Sequence, residues 1–187
     1  MPTLRPLFVY GGTMLTKGRI GGVSKKVKPR TNSSYELKPH KIPDDMVVII
    51  DTREQAPLWL PKPMKDLVIM RGTLTNGDYS IRGYENTFAI ERKQHDIFSY
   101  LTGEREKTKV KLEKLRGYEF KALVIEFEED ELYMPHFFTD ISPEVVRQSL
   151  VSFEIKYGIH VFYGNRKALE RKVLDWMIYY WKFKRCV

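Results

Sequence analysis

The stretch NGDYSIRGYENTFAIERKQHD, Asn76 to Asp96, sets Asp78 and Glu91 on either side of a short turn-like insert, with Lys93 two residues beyond the second acid. DYSI and TFAIERK alternate as strands around the turn residues RGYEN and read as a hairpin. If it folds about the midpoint between Tyr84 and Glu85, residues whose numbers sum to 169 face one another, and Asp78 faces Glu91. Directly opposed side chains have Cβ atoms about 4.5–5.5 Å apart, where like charges destabilise the pair. A bound cation reverses that sign. Alternation along TFAIERK places Ala89, Glu91 and Lys93 on one face and Phe88, Ile90 and Arg92 on the other. Asp51 ends the apolar run MVVII, a position from which loop residues reach active sites in open α/β sheets.

Three carboxylates and one ammonium are therefore expected to converge. Hard oxygen ligands of this kind suit Mg²⁺ or Mn²⁺, which keep several waters and accept phosphate oxygens. The chemistry implied is hydrolysis of a phosphodiester, with Lys93 orienting the attacking water or offsetting developing negative charge. Each motif alone is ordinary: GD is a turn signal, ERK a solvated strand end, DTRE a loop or helix start. Their joint spacing is what points to a site.

The elements that must hold these residues follow from hydrophobic pattern. MVVII reads as a strand buried on both faces, and DLVIMRG as a weaker strand after the Pro-rich loop APLWLPKP. From His95 to Tyr118 the texture is helical, with breaks at Gly103 and Gly117. KALVIEFEED is a buried strand, YMPHFFTD an aromatic loop, and IHVFYG a strand. SPEVVRQSLVSFEIKYG is a helix with Ser142 at the N-cap, Pro143 at the first helical position and a glycine at its end. Asn165 caps a final helix with Leu169, Val173, Trp176, Met177 and Tyr180 on one stripe. This order implies an α/β fold, a mixed sheet flanked by helices.

At 187 residues the chain has room for one core. Its 42% hydrophobic and 30% charged residues are those of a soluble globular protein, and no apolar run is long enough to cross a bilayer, so no membrane association is expected. The N-terminus lacks the apolar core and small-residue cleavage site of a secretory signal. The single cysteine, Cys186, cannot staple the fold or build a cysteine zinc site, which fits an intracellular setting: cytoplasmic in a bacterium or infected cell, nuclear in a eukaryote. A net charge of +8 and a pI near 9.4 suggest a polyanionic partner such as nucleic acid, the alternative being a basic tail kept for solubility. Much of that charge, including Lys25, Lys26, Lys28 and Arg30, lies in a Gly/Pro/Ser-rich arm over residues 1–45. The arm either tracks a DNA backbone or is a flexible leader.

IIDTRE, NGDYSI and ERKQHD resemble the successive motifs of the xeroderma pigmentosum group F (XPF) nuclease family: Gly-Asp, a variable insert, Glu-Arg-Lys, three residues and Asp. The resemblance spans roughly Val47 to Lys184. It implies a restriction-endonuclease-like core over residues 46–187. It makes Asp51, Asp78 and Glu91 metal-binding or metal-organising acids and Lys93 the catalytic lysine. Arg53, Glu54, Arg92 and Asp96 match motif positions with supporting roles. The family's glycine-arginine pair is imperfect: Gly103 is followed by Glu104 and only then Arg105, and Lys109 stands where a glutamine is usual. Family members that cut branched DNA continue into paired helix-hairpin-helix repeats that this sequence does not show. The basic arm or a partner subunit is then expected to supply grip.

His95, beside Asp96, is read as a packing or capping residue ahead of a metal ligand. Trp176, Tyr180 and Trp181 are read as core or dimer face ahead of a base-stacking surface. The expectation is a Mg²⁺- or Mn²⁺-dependent DNA endonuclease, pairing as homodimer or heterodimer through its C-terminal helices and leaving 5′-phosphate and 3′-hydroxyl ends. Branched, flapped or nicked DNA are candidate substrates. The rivals are a catalytically silent DNA-binding or scaffold subunit, and a phage-encoded protein-interaction module.

Overall fold

The computed structural model describes residues 41–103, 105–136 and 139–186. They belong to one compact unit, Pro39–Val187. Residues 1–40 of the basic arm, with Lys25, Lys26, Lys28 and Arg30, lie outside the described residues. The strands are β1 (Val47–Asp51), β2 (Val68–Gly72), β3 (Tyr79–Ile81), β4 (Phe88–Lys93), β5 (Phe120–Ile125) and β6 (His160–Tyr163). The helices are α1 (Ile97–Leu101), α2 (Arg105–Leu115), α3 (Glu129–Leu132), α4 (Pro143–Tyr157) and α5 (Arg166–Arg185).

The strands form one mixed sheet in the order β2-β1-β3-β4-β5-β6. β1 is parallel to β2 and antiparallel to β3, β3 is antiparallel to β4, and β4, β5 and β6 run parallel. Both faces are covered, which is why the central strands are apolar almost throughout. On one face Val48, Ile50, Tyr79, Ile81, Phe88, Ile90, Ala122 and Val124 pack against Leu169, Val173, Leu174, Met177 and Ile178 of α5. On the other, Ala89, Leu123 and Ile125 meet α1, α2 and α4 through residues such as Phe98, Leu112 and Leu150. The expected split of β4 into two faces is seen in this division.

Local signals set the helix ends. The Ser142 hydroxyl accepts the Val145 N–H at 3.3 Å, Pro143 opens α4, and Gly158 closes it at φ 61°. Asn165 Oδ1 accepts the Ala168 N–H at 3.0 Å to start α5. The helical stretch after His95 divides around Thr102 and Gly103 into α1 and α2. One element the pattern did not announce is α3, a single turn too short for periodicity, whose Glu129, Asp130 and Glu131 suit a helix N-terminus. Trp176 and Tyr180 pack on the α5-side core, at 5.4 Å and 6.3 Å from the Phe120 ring, while Trp181 lies under the Arg185 guanidinium at 4.1 Å. Among the described residues no helix is long and apolar enough to cross a membrane.

Candidate active site

Register brings the three acids together. Tyr79 pairs with Ile90, the pairing expected of a hairpin centred between Tyr84 and Glu85, so Asp78 and Glu91 are next in line. Ile50 pairs with Tyr79 across β1 and β3, and the Asp51 N–H donates to the Asp78 carbonyl at 2.8 Å. Asp51 at the end of β1, Asp78 directly before β3 and Glu91 on β4 thus converge at one end of three adjacent strands. Gly77 makes this approach possible. It sits at φ 80°, and a Cβ there would stand 3.0 Å from the Ile90 carbonyl oxygen and 3.2 Å from the Ala89 Cβ. With Gly77 in place, the Asp78 N–H donates to the Ile90 carbonyl at 2.7 Å and Asp78 Oδ2 accepts the Arg92 N–H at 2.7 Å.

The three carboxylates have different partners. Asp51, 1% exposed, is fully engaged: Arg53 Nε and N–H donate to Oδ1 at 2.7 and 2.8 Å, while Arg53 Nη2 and the Leu74 N–H donate to Oδ2 at 2.9 and 2.7 Å. Glu91 is also 1% exposed. Its Oε1 meets Lys93 Nζ at 3.0 Å and Lys111 Nζ at 2.5 Å, while Oε2 is buried without a hydrogen-bond partner. Lys93 is held from the far side by Asp96 Oδ2 at 3.0 Å and lies over the Tyr100 ring at 5.1 Å. On the opposite face Arg92, its side chain 3% exposed, bonds Glu126 through Nε at 3.0 Å and through Nη2, and Glu54 at 3.3 Å. It ties the ends of β4 and β5 to the loop after β1.

Two cavities share Arg53, Asp78 and Lys93 in their walls. One, of about 420 Å³, opens towards Glu54, Arg92, His95 and Asp96. The other, of about 250 Å³, is closed by Asn76, Gly77, Glu91 and Lys111. His95 packs edge-on against Phe127, with ring centroids 5.1 Å apart. Arg105 is exposed at the first residue of α2, and Lys109 pairs with Glu106 at 2.6 Å on the solvent side.

The family model of the ERCC4 domain matches residues 30–171, well over half of the chain. The chain belongs to the ERCC4 domain family. Its fold is shared with XPF from Aeropyrum pernix, at 17% identity and a TM-score of 0.53, over 69% of this chain and 58% of that one. A second structure, of XPF from Aeropyrum pernix in complex with DNA, is similar over 74% of this chain and 66% of that one, at 15% identity and a TM-score of 0.51. The likeness shows a restriction-endonuclease-like fold. The chain spans little more than half the length of the first of these proteins. No curated protein matches it in sequence.

In this ERCC4 domain the acids differ in electrostatics as well as contacts. The Arg53 guanidinium holds the Asp51 carboxyl well below the ordinary carboxylate range, against the opposing effect of burial. Burial first, and then the Glu91 charge, push Asp78 up to about 7. Burial works against the Lys93 ammonium, yet Glu91 and Asp96 outweigh it and hold Lys93 above the ordinary lysine value. Lys93 is therefore a cation at neutral pH.

Among the described residues no three acidic, histidine or cysteine side chains stand together as a ready metal cage. Asp51 differs from the other two acids in that its oxygens are turned to Arg53 and Leu74. The donors that fit a hard cation are the carboxylates of Asp78 and Glu91, which line one cavity and of which Glu91 Oε2 is partnerless. Sequence reasoning missed the Arg53 clamp and Lys111. The clamp could have been suspected from DTR alone, since an Asp at a strand end and an Arg two residues on can close a side-chain ring. Lys111 had a fainter signal: it falls between Thr108 and Leu115 on the buried stripe of α2.

Proposed function

We propose that this ERCC4 domain is a Mg²⁺- or Mn²⁺-dependent DNA endonuclease that hydrolyses phosphodiester bonds. The observation that carries the reading is Glu91: a buried carboxylate with one oxygen on Lys93 and the other partnerless, lining one cavity with Asp78. Asp78 and Glu91 would hold the ion, which when bound polarises a phosphoryl oxygen and makes a bound water more acidic. Lys93, fixed between Glu91 and Asp96, stays protonated, so it donates hydrogen bonds and offsets phosphate charge and does not act as a base. Asp51 organises the site at one remove, fixing Arg53 so that this largely exposed guanidinium, 69% accessible, faces the cavity mouth. Glu54, Arg92 and Glu126 brace the strands from behind. Branched, flapped or nicked duplexes are the substrates to try first, with 5′-phosphate and 3′-hydroxyl products. The basic arm, including Lys25, Lys26, Lys28 and Arg30, is assigned to the DNA backbone.

Pairing of two subunits through the C-terminal helices belongs to the same reading. Tyr179 and Phe183, one turn apart on α5, are 72% and 64% exposed. One specific feature favours a second reading, a silent DNA-binding subunit: Asp51 is neutralised by Arg53, and Glu91 by two lysines. End-labelled single-stranded, duplex, nicked, splayed and flapped DNA, incubated with Mg²⁺, Mn²⁺ or EDTA, separates the two. The endonuclease cuts only with metal, and Asp78→Ala and Lys93→Ala abolish cutting. DNA bound equally with and without metal, and left intact, selects the silent subunit.

A further inference from the structure

Lys111 is a lysine in a place where a helix ordinarily puts an apolar residue. α2 buries Thr108, Leu112 and Leu115 against the sheet, and the Thr108 hydroxyl donates to the Tyr100 carbonyl at 2.8 Å, pinning α2 to α1. Lys111 lies on that same stripe, so its stem is committed inward and its ammonium ends at Glu91 Oε1, 2.5 Å away. The side chain is still 35% exposed, because it lines the 250 Å³ cavity together with Arg53, Asp78 and Lys93. Glu91 Oε1 therefore carries two ammonium groups while Oε2 carries none. Two cations on one oxygen repel each other, and a divalent ion arriving at the Asp78–Glu91 pair adds a third positive centre.

We propose that Lys111 competes with the divalent cation for Glu91 and, once displaced, contacts a phosphate of the DNA in the adjoining cavity. Lys93 is the one that stays: Asp96 holds it from the far side, whereas Glu91 is the carboxylate that holds Lys111. Metal occupancy and phosphate contact are thereby linked through one mobile ammonium. Metal binding frees a donor for the anion, and a bound phosphate draws the competitor away from Glu91. The proposal rests on the site being a metal-dependent DNA site as argued above, and its two halves are measured separately from cleavage.

The first measurement is a Mn²⁺ titration read by the free-ion electron paramagnetic resonance signal. Removing a half-exposed unit charge beside the site is expected to tighten Mn²⁺ binding about tenfold in Lys111→Gln. Lys111→Arg is expected to stay near wild type, and Lys114→Gln, an exposed position on the same helix, to match it. The second is the salt dependence of duplex binding by the full chain, compared in Ca²⁺ and in EDTA. One phosphate contact contributes about 0.9 to the slope of log affinity against log salt. Lys111→Gln should lose that increment in Ca²⁺ and keep the wild-type slope in EDTA, where the ammonium is engaged by Glu91. An unchanged or weaker Mn²⁺ affinity overturns the proposal, as does a slope lost equally with and without the cation. If the chain bound no DNA at all, the function proposed above would fail, while the Mn²⁺ titration would still decide whether Lys111 competes for Glu91.

Discussion

Asp78→Asn tests the electrostatic account of the site most directly, because asparagine keeps the shape and the acceptor that binds the Arg92 N–H but cannot ionise. Burial and Glu91 push the Asp78 carboxyl from its ordinary 3.8 to about 7. A raised acid binds its proton more tightly in the folded protein, so stability falls as pH rises from about 4 to about 7 and then levels. At about 1.4 kcal/mol per pH unit, the full span is at most about 4 kcal/mol. Partial exposure and coupling to Glu91 reduce this to about 2–3 kcal/mol. In EDTA at pH 8, Asp78→Asn should be more stable than wild type by that amount, raising Tm by roughly 4–12 °C for a domain of this size. At pH 4 the two proteins should melt within about 2 °C of each other, since the folded wild type then carries a neutral carboxyl where the variant carries a neutral amide. Saturating Mg²⁺ should erase most or all of that lead at pH 8 by stabilising wild type alone, by about 2.7 kcal/mol at one hundred times Kd. Urea or thermal unfolding followed by circular dichroism reads all three. A variant destabilised at pH 8 in EDTA, or a lead that persists at pH 4, would refute the reasoning.

Three further outcomes follow from the same geometry. Arg92→Ala leaves Glu54 and Glu126 facing each other without their shared cation and should cost about 3–5 kcal/mol in urea unfolding. Gly77→Ala forces a side chain into a left-handed backbone 3.0 Å from the Ile90 carbonyl, so a loss of about 1–3 kcal/mol is expected, together with weaker Mn²⁺ binding as Asp78 is displaced. Asp51→Asn should lose about 1.5–3 kcal/mol at pH 7, where the charged carboxylate accepts four donors. Because the Asp51 carboxyl is held below its ordinary value, that contribution is present above about pH 4 and lost in wild type as pH falls further. The acid limb of the stability profile should therefore flatten in the variant, as measured by urea midpoints from pH 2 to 5.

The hairpin was legible because a turn midpoint fixes register by counting alone: the observed Tyr79–Ile90 pair lies on the expected sum. The helix ends were legible because Ser142, Pro143, Gly158 and Asn165 act within a few residues of themselves. The strand order was not. That β1 lies between β2 and β3, setting Asp51 against Asp78, depends on pairing between distant segments that periodicity cannot see. The site divided along the same line. Asp78, Glu91 and Lys93 share one hairpin and could be placed together. Lys111 reaches Glu91 from a helix whose mostly charged sequence leaves only a faint buried stripe, and the Asp-Thr-Arg spacing permits the Arg53–Asp51 clamp while the side-chain rotamers decide that it closes.

The placing of the acids at one end of the sheet also sets which parts of the molecule open and which do not. The amides of Asp51, Asp78 and Arg92 are each donated to an oxygen of a neighbouring strand, at 2.8, 2.7 and 2.7 Å, in the middle of a sheet covered on both faces. The backbone-paired amides of Asp51 and Asp78 are expected to exchange slowly, as hydrogen-exchange protection would measure. α1 and α2, five and eleven residues long and broken at Thr102 and Gly103, are expected to exchange faster than those amides in the same measurement. On that expectation the sheet end bearing the carboxylates is the stiffer wall of the cavity and α2, bearing Lys111, the softer one.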